Sequence, residues 1–116
     1  MKKVLIVEDE QRMREILFKW LKVGGLDVIA AANAEEATDI LIRERIDLVL
    51  LDIKMPTVDG KYFFEVIQEY DPQIKVIVTS VYPVDIQQEL IPKAEAYFDK
   101  SQGPIVLIEK ITNKLI

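Results

Sequence analysis

Five short apolar runs recur along the chain, and none of them alternates with polar residues. The runs cover residues 4–7, 28–31, 48–51, 76–78 and 96–98. Continuous apolar runs of this length are typical of strands that are covered on both faces, as in a parallel sheet. The pattern therefore predicts five buried strands.

The first two segments between these runs have the spacing of amphipathic helices. One face of the first carries five apolar residues, which are Met13, Ile16, Leu17, Trp20 and Leu21. The glycine pair at 24–25 is expected to end this helix. The second helix is expected to begin with a capping-box arrangement of Asn33 and Glu36. Its predicted buried stripe is Ala37, Ile40 and Leu41.

Three further helices are predicted after the third strand. The first carries Phe63, Val66, Ile67 and Tyr70 at helical spacing. It should end before the Asp-Pro pair at 71–72. A short helix is expected over 85–91, where the proline at 92 stops it. The last helix starts near Pro104, which suits a first helical turn. It is expected to bury some of Ile105, Ile108, Ile111 and Leu115.

The resulting order, a strand followed by a helix five times, predicts an α/β fold. Alternation of this kind implies a parallel sheet with helices on both faces and right-handed crossovers. A length of 116 residues indicates a single domain.

Composition and charge exclude several classes of function. Lys and Arg total 15 and Asp and Glu total 20, so the net charge is −5, which argues against direct nucleic acid binding by this segment. The chain has no Cys, which excludes disulfides, and no His, which excludes a Ser–His–Asp triad. The run at 4–7 is followed at once by three acidic residues and is too short for a signal peptide or a membrane span. We expect a cytoplasmic protein with no membrane association.

Polar residues with complementary chemistry follow four of the five predicted strands. They are, in chain order, Glu8 and Asp9, Asp52, Thr79 and Ser80, and Lys100. Ligands of open α/β sheets bind outside the carboxyl ends of the strands, where these residues would lie. Each one alone would be an ordinary turn, cap or surface residue. Their joint occurrence indicates a functional edge.

If the first and third strands are neighbours, three carboxylates converge at this edge. Carboxylates that lie so close repel one another, and a hard cation such as Mg²⁺ would relieve the repulsion. Lys100 adds a positive group that is suited to phosphate. Together these groups favour phosphoryl transfer, with Asp52 as the nucleophile that forms an acyl phosphate.

Four stretches of the chain resemble the receiver domain of two-component response regulators, in the CheY-like superfamily. They are residues 4–10, 47–56 with the Asp-Gly pair at 59–60, 75–80, and 94–100. The resemblance covers essentially the whole chain. It implies a flavodoxin-like (βα)5 fold with strand order 2-1-3-4-5. Because the chain ends with its last predicted helix, we expect residues 1–116 to be this domain, with no output domain present.

The resemblance also implies which residues form the metal site. Asp52 would be the phosphoacceptor. Asp9, Asp52 and the backbone carbonyl of Lys54 would bind Mg²⁺ directly, and Glu8 would bind it through a water. The Glu8 position more commonly holds Asp in the family, and the longer side chain reaches further towards the metal.

The remaining implied residues belong to a switch. Lys100 would pair with the phosphoryl group, Ser80 would be the switch hydroxyl, and Tyr97 the aromatic residue that changes rotamer. The phosphoryl donor would be a sensor histidine kinase or a histidine phosphotransfer protein, because this chain has no His. The recipient of the signal would be an effector protein or a missing output domain. Such a switch catalyses only its own phosphorylation and dephosphorylation.

Three further positions depart from the family pattern. Val81 stands where a small residue is usual, and its bulk could restrict access to Asp52. Ser101 replaces a proline that usually follows a cis bond. A cis bond before a non-proline residue costs about 2.5–4 kcal/mol, so it is either lost here or held under strain. The segment between Ser80 and Lys100 is shorter than usual, which predicts a short or displaced fourth helix.

Three other functions are alternatives to the phosphorylated switch. A non-phosphorylated receiver-like interaction module is favoured by Val81, Ser101 and the short fourth helix, and opposed by the complete set of acidic and basic residues. A Mg²⁺-dependent phosphatase needs an acid–base carboxylate where Lys54 stands. A flavin carrier needs a hydroxyl- and glycine-rich phosphate loop after the first strand, and the chain has acidic residues there.

Overall fold

A computed structural model describes residues 2–54 and 59–116 of the chain. Strands and helices alternate throughout these residues, as predicted. The strands are β1 (Lys3–Val7), β2 (Asp27–Ala31), β3 (Leu48–Asp52), β4 (Lys75–Ser80) and β5 (Ala96–Asp99). The helices are α1 (Gln11–Val23), α2 (Ala34–Arg43), α3 (Gly60–Tyr70), α4 (Val84–Leu90) and α5 (Pro104–Leu115).

The five strands form one parallel sheet in the order β2-β1-β3-β4-β5. This order confirms the flavodoxin-like (βα)5 prediction. In the register of the sheet, Val7 lies opposite Leu51, and Asp52 lies opposite Thr79. The carboxyl ends of β1, β3 and β4 therefore meet at one edge of the sheet.

Each face of the sheet is covered by helices, which explains why the strands are apolar throughout. Leu5 and Val7 of β1 pack with α2, α3 and the end of α4. Val4 and Ile6, which point to the opposite face, pack with α1 and α5. Because successive side chains of a strand point to opposite faces, a strand buried on both faces has no polar alternation.

The first helix ends as its glycine pair predicts. Gly25 has a φ of 83°, which is the left-handed conformation that suits glycine. The N–H of Leu26 donates to the carbonyl of Leu21 at 3.1 Å, as in a Schellman motif. Leu17 and Leu21 of the predicted face are buried.

The capping box of α2 is present with one difference. The side chain of Asn33 accepts a hydrogen bond from the N–H of Glu36 at 2.8 Å, as predicted. The Glu36 carboxylate accepts in return from the N–H of Ala32, at 2.7 Å, and not from that of Asn33. Two free N–H groups at the start of the helix are still satisfied, so the cap stabilises it.

Helix α3 forms as predicted, but only part of its apolar stripe is buried. Phe63 and Ile67 are buried, whereas Val66 is 36% exposed and Tyr70 is 57% exposed. Phe64 is buried in their place. The helix carries apolar residues around most of its surface, so periodicity alone does not determine its rotation. The hydroxyl of Tyr70 donates to the backbone of α2, which holds the ring at the surface.

The same ambiguity affects α5. Ile111 is buried as expected, while Ile105 is 74% exposed and Leu107 is fully buried. Ile108 and Leu115 are partly buried against the α1 side of the sheet. Contact with the sheet through Leu107 selects the rotation of this helix.

The segment from β4 to the end of β5 confirms the prediction of a short fourth helix. Helix α4 has seven residues, or about two turns. The described residues contain no cis peptide bond, so the bond between Lys100 and Ser101 is trans. This fits the energetic cost of a cis bond before serine.

Replacement of Gly60 by Ala should lower the stability of the fold. A Cβ at this position would lie 2.4 Å from the Cα of Ile53, which is backbone and cannot move aside easily. We expect Gly60→Ala to cost about 1–3 kcal/mol of unfolding free energy, even though Ala favours a helix. Urea denaturation measures this cost.

Gly24→Ala is the matched control. There the nearest atom is the flexible tip of the Ile108 side chain, at 2.8 Å. A loss of stability in the control equal to that of Gly60→Ala would contradict the explanation by backbone overlap.

Candidate functional site

The predicted acidic residues come together at the carboxyl edge of the sheet. Because β1 and β3 are neighbours, Glu8 and Asp9 lie beside Asp52, and one carboxylate oxygen of each lies within 4.8 Å of the others. Glu8 is 1% exposed and Asp52 is 4% exposed, while Asp9 is more open to solvent. Such a group of oxygen ligands is compatible with a hard divalent cation.

Lys100 reaches this cluster from the end of β5. Its Nζ lies 2.5 Å from Oε1 of Glu8 and 3.5 Å from Oδ2 of Asp52. The Lys100 side chain is 9% exposed, so both ion pairs are largely shielded from water. Because solvent and salt screen buried ion pairs far less than surface pairs, the ammonium group of Lys100 interacts strongly with both carboxylates.

Backbone groups and one arginine hold the acidic residues in place. Oδ1 of Asp52 accepts from the N–H of Lys54 at 3.1 Å, and Oε2 of Glu8 accepts from the N–H of Glu10 at 3.2 Å. The guanidinium of Arg14 on α1 donates to the carbonyls of Glu8 and Asp9, at 2.9 and 3.4 Å. No motif or spacing in the sequence predicted this contact of Arg14.

The cluster carries more negative charge than its surroundings stabilise. Burial raises the pKa of Glu8 to about 7, in spite of the hydrogen bond from Lys100, and the nearby charge of Asp52 adds to this rise. Burial also raises the pKa of Asp52, against the opposing effect of Lys100. One ammonium group does not compensate two buried carboxylates, so a proton or a cation is favoured here.

The two predicted switch residues occupy separate positions. Ser80 is buried, and its Oγ accepts from the N–H of Tyr82 at 3.1 Å. Tyr97 is buried on the face of the sheet that packs with α3 and α4, where its hydroxyl donates to the carbonyl of Ile91. Ser80 lines the same cleft as Glu8, Asp9 and Asp52, and Tyr97 is enclosed beside α4.

A cleft of about 280 Å³ opens over Asp52. It is lined by Glu8, Asp9, Glu10, Asp52, Lys54, Ser80, Val81 and Lys100. Val81 is 67% exposed and lies on the border of the cleft. Nζ of Lys54 lies 5.4 Å from the ring centre of Tyr82, in cation–π range.

A larger cavity, of about 580 Å³, lies at the opposite edge of the sheet. It is lined by residues such as Asp47 and Lys75 and is remote from the cluster of Glu8, Asp9 and Asp52.

Comparison with known proteins assigns the chain to a family. The family described as the response regulator receiver domain matches residues 4–112. The chain therefore belongs to the response regulator receiver domains, and it is a signalling domain of two-component systems.

Individual relatives agree with this assignment. The response regulator TrrA of Thermotoga maritima, solved in complex with Mg²⁺ and beryllium fluoride, is 32% identical with a TM-score of 0.89, covering 98% of this chain and 99% of TrrA. A CheY-like receiver domain of Methanospirillum hungatei is 31% identical with a TM-score of 0.90, covering 99% of this chain and 94% of that one. Sporulation initiation phosphotransferase F of Bacillus subtilis is 39% identical over 88 residues, covering 75% of this chain and 71% of that protein.

Several other relatives are much longer than this chain. The response regulator FleR of Pseudomonas aeruginosa is 38% identical over 80 residues, which are 69% of this chain but only 17% of FleR. The chain spans 51% of the transcriptional regulatory protein YxdJ of Bacillus subtilis, with 28% identity over 117 residues.

Among the described residues, no helix combines the length and the apolar character that crossing a membrane requires.

The raised pKa of Glu8 predicts how the stability of the metal-free protein depends on pH. The folded state binds this proton more tightly than the unfolded chain, because the pKa rises from 4.5 to about 7 on folding. The resulting stabilisation is complete below the unfolded pKa and is lost as the pH rises through the folded pKa. We expect a loss of about 2 kcal/mol between about pH 5 and about pH 8.

Urea unfolding across this pH range, with a chelator present, measures the loss. Glu8→Gln should flatten the pH dependence, and Glu69→Gln, an exposed glutamate on α3, should leave it as in the wild type. A Glu8→Gln protein with the wild-type pH dependence would show that another group is responsible.

Proposed function

We propose that Asp52 accepts a phosphoryl group from a histidine of a partner protein. A carboxylate oxygen of Asp52 attacks the phosphorus, the bond from phosphorus to the histidine nitrogen breaks, and an acyl phosphate forms. The imidazole leaves and takes up a proton from water. The observation that carries the proposal is the position of Asp52, buried at the floor of a cleft between two acidic residues and Lys100.

The charge of the cluster supports a Mg²⁺ requirement. Asp9, Asp52 and the backbone carbonyl of Lys54 would hold the ion, with Glu8 bound through a water. When bound, Mg²⁺ would neutralise charge on the phosphoryl oxygens. Glu8 is enclosed and already paired with Lys100, whereas Asp9 is more open to the cleft. This supports a direct role for Asp9 and an indirect one for Glu8.

The side chains around Asp52 then distinguish the two states of the switch. Lys100 lies within reach of Asp52 and would pair with the phosphoryl oxygens. Ser80 would turn its hydroxyl from Tyr82 towards the same oxygens, and Tyr97 would move into the space released. The face formed by α4, β5 and α5 would then be recognised by the partner.

The partners follow from the chemistry of the donor and of the switch. The donor is a sensor histidine kinase or a histidine phosphotransfer protein, and the recipient is an effector protein or an output domain. The domain catalyses its own phosphorylation and its own dephosphorylation, in which water attacks the acyl phosphate and restores Asp52. A cytoplasmic location stays a prediction.

Asp52→Asn should abolish phosphorylation, because the amide lacks the nucleophilic carboxylate oxygen. Incubation with Mg²⁺ and acetyl phosphate, followed by intact mass measurement, should show one phosphoryl group on the wild type and none on the variant. Asp39→Asn, an exposed aspartate of α2, serves as the matched control.

Hydroxylamine-sensitive phosphate that persists in Asp52→Asn would refute this assignment. A wild type that takes up no phosphate would instead favour the receiver-like interaction module.

Removal of Asp9 should weaken Mg²⁺ binding more than removal of Glu8. Loss of an indirect ligand typically costs about 10–100-fold in metal affinity, so we expect about tenfold for Glu8→Ala and about a hundredfold for Asp9→Ala. Titration calorimetry with Mg²⁺ at fixed pH measures both constants, and Glu69→Ala is the control. Equal losses, or a larger loss for Glu8→Ala, would reverse the two roles.

A further inference from the structure

Gln87 is the one buried residue of α4, a helix that lies wholly within the described residues. Its side chain has no exposure to solvent, whereas Ile86 and Leu90 are 37% and 45% exposed. A helix of two turns is unstable by itself, so its position depends on its attachments to the rest of the fold. The contacts of Gln87 are therefore unusually important for α4.

The amide group of Gln87 bridges two backbone carbonyls in different parts of the fold. Its Nε2 donates to the carbonyl of Tyr82 at 2.8 Å and to that of Phe98 at 2.9 Å. Tyr82 lies between β4 and α4, and Phe98 lies on the edge strand β5. The two amide hydrogens match the two carbonyls, which determines the orientation of the group.

The backbone of Tyr82 is held a second time by Ser80. Its N–H donates to Oγ of Ser80 at 3.1 Å. The carbonyl of Ser80 accepts in turn from the N–H of Lys100 at 2.9 Å. Ser80 and Lys100 both line the cleft over Asp52. Hydrogen bonds thus form a continuous path from the cleft, through Tyr82, to α4.

The bridge is incomplete on its acceptor side. Oε1 of Gln87 is buried and has no donor within residues 2–54 and 59–116. A buried acceptor without a partner costs free energy, which reduces the advantage of this arrangement over other placements of α4. Because this reduces the free-energy difference between placements, a change at Tyr82 would shift the balance more readily.

We propose that Gln87 is the positioning residue that couples α4 to the side chain of Ser80. The inference rests on the proposed function, in which Ser80 leaves the N–H of Tyr82 to donate to the phosphoryl group on Asp52. Within residues 2–54 and 59–116, the backbone of Tyr82 would then be hydrogen-bonded only to Gln87. The segment around Tyr82 that leads from β4 into α4 loosens, and the surface that α4 presents changes.

Hydrogen exchange of the whole chain tests this, with and without Mg²⁺ and beryllium fluoride. Gln87→Met keeps the length of the side chain and removes both hydrogen bonds. Gln88→Met is the matched control, because Gln88 is an exposed glutamine in the same helix. Mass measurement after incubation with acetyl phosphate reports phosphorylation of Asp52 in each variant.

In the wild type and in Gln88→Met, beryllium fluoride should change exchange over residues 82–91. In Gln87→Met, exchange over these residues should be faster by about tenfold or more in the free protein, since two hydrogen bonds that resist local opening are lost. The response to beryllium fluoride there should disappear, while Asp52 is still phosphorylated. Wild-type protection of α4 in Gln87→Met, with a full response, would overturn the proposal.

A second comparison applies if Gln87→Met loosens the whole sheet. Ser80→Ala removes the acceptor of the Tyr82 N–H without altering Gln87. Exchange over residues 82–91 should rise in Ser80→Ala, and less than additively in Ser80→Ala with Gln87→Met, because both bonds hold the same segment. Additive effects, or no rise in Ser80→Ala, would overturn the coupling. This comparison uses the free protein, so its result is independent of whether Asp52 is phosphorylated.

Discussion

The structure depends on the burial of two carboxylates beside each other at the carboxyl edge of the sheet. Parallel pairing of β1 with β3 places Glu8 next to Asp52, and both are almost fully removed from water. Burial raises the pKa of both carboxyl groups, and the charge of Asp52 adds to the rise in the pKa of Glu8. Lys100 supplies one positive charge for the two. The site is therefore compatible with a second cation, which is the charge that the proposed phosphoryl transfer to Asp52 would need.

Hydrogen bonds connect Lys100 in the acidic cluster to helix α4, which follows β4 in the chain. The N–H of Lys100 binds the carbonyl of Ser80, whose hydroxyl accepts from Tyr82, and Tyr82 is held by Gln87 of α4. A new negative group on Asp52 would compete for Ser80 and Lys100 at the start of this path. Interfaces of packed elements respond to such changes between discrete arrangements, so a local change of charge can alter a distant surface.

The comparisons place this domain among relatives with different further segments. The chain spans 71% of a sporulation phosphotransferase but only 17% of the response regulator FleR. The same fold thus serves proteins of very different length, and the fold by itself does not determine the partner. In this chain the exposed apolar side chains include Tyr62, Val66 and Tyr70 on α3 and the partly exposed Ile86 and Leu90 on α4.

The sequence by itself predicted the strands, the helices and most of their ends. The five apolar runs, the Asn33 cap and the glycine pair after α1 predict elements, because strand burial, capping and left-handed turns depend on residues close together in the chain. The edge position of Asp52, Ser80 and Lys100 also follows, since parallel strands end at one edge. Only the tertiary structure decided the rotation of α3 and α5, the pairing of Lys100 with Glu8, and the bridge formed by Gln87. These depend on packing between residues that are distant in sequence, which periodicity does not encode.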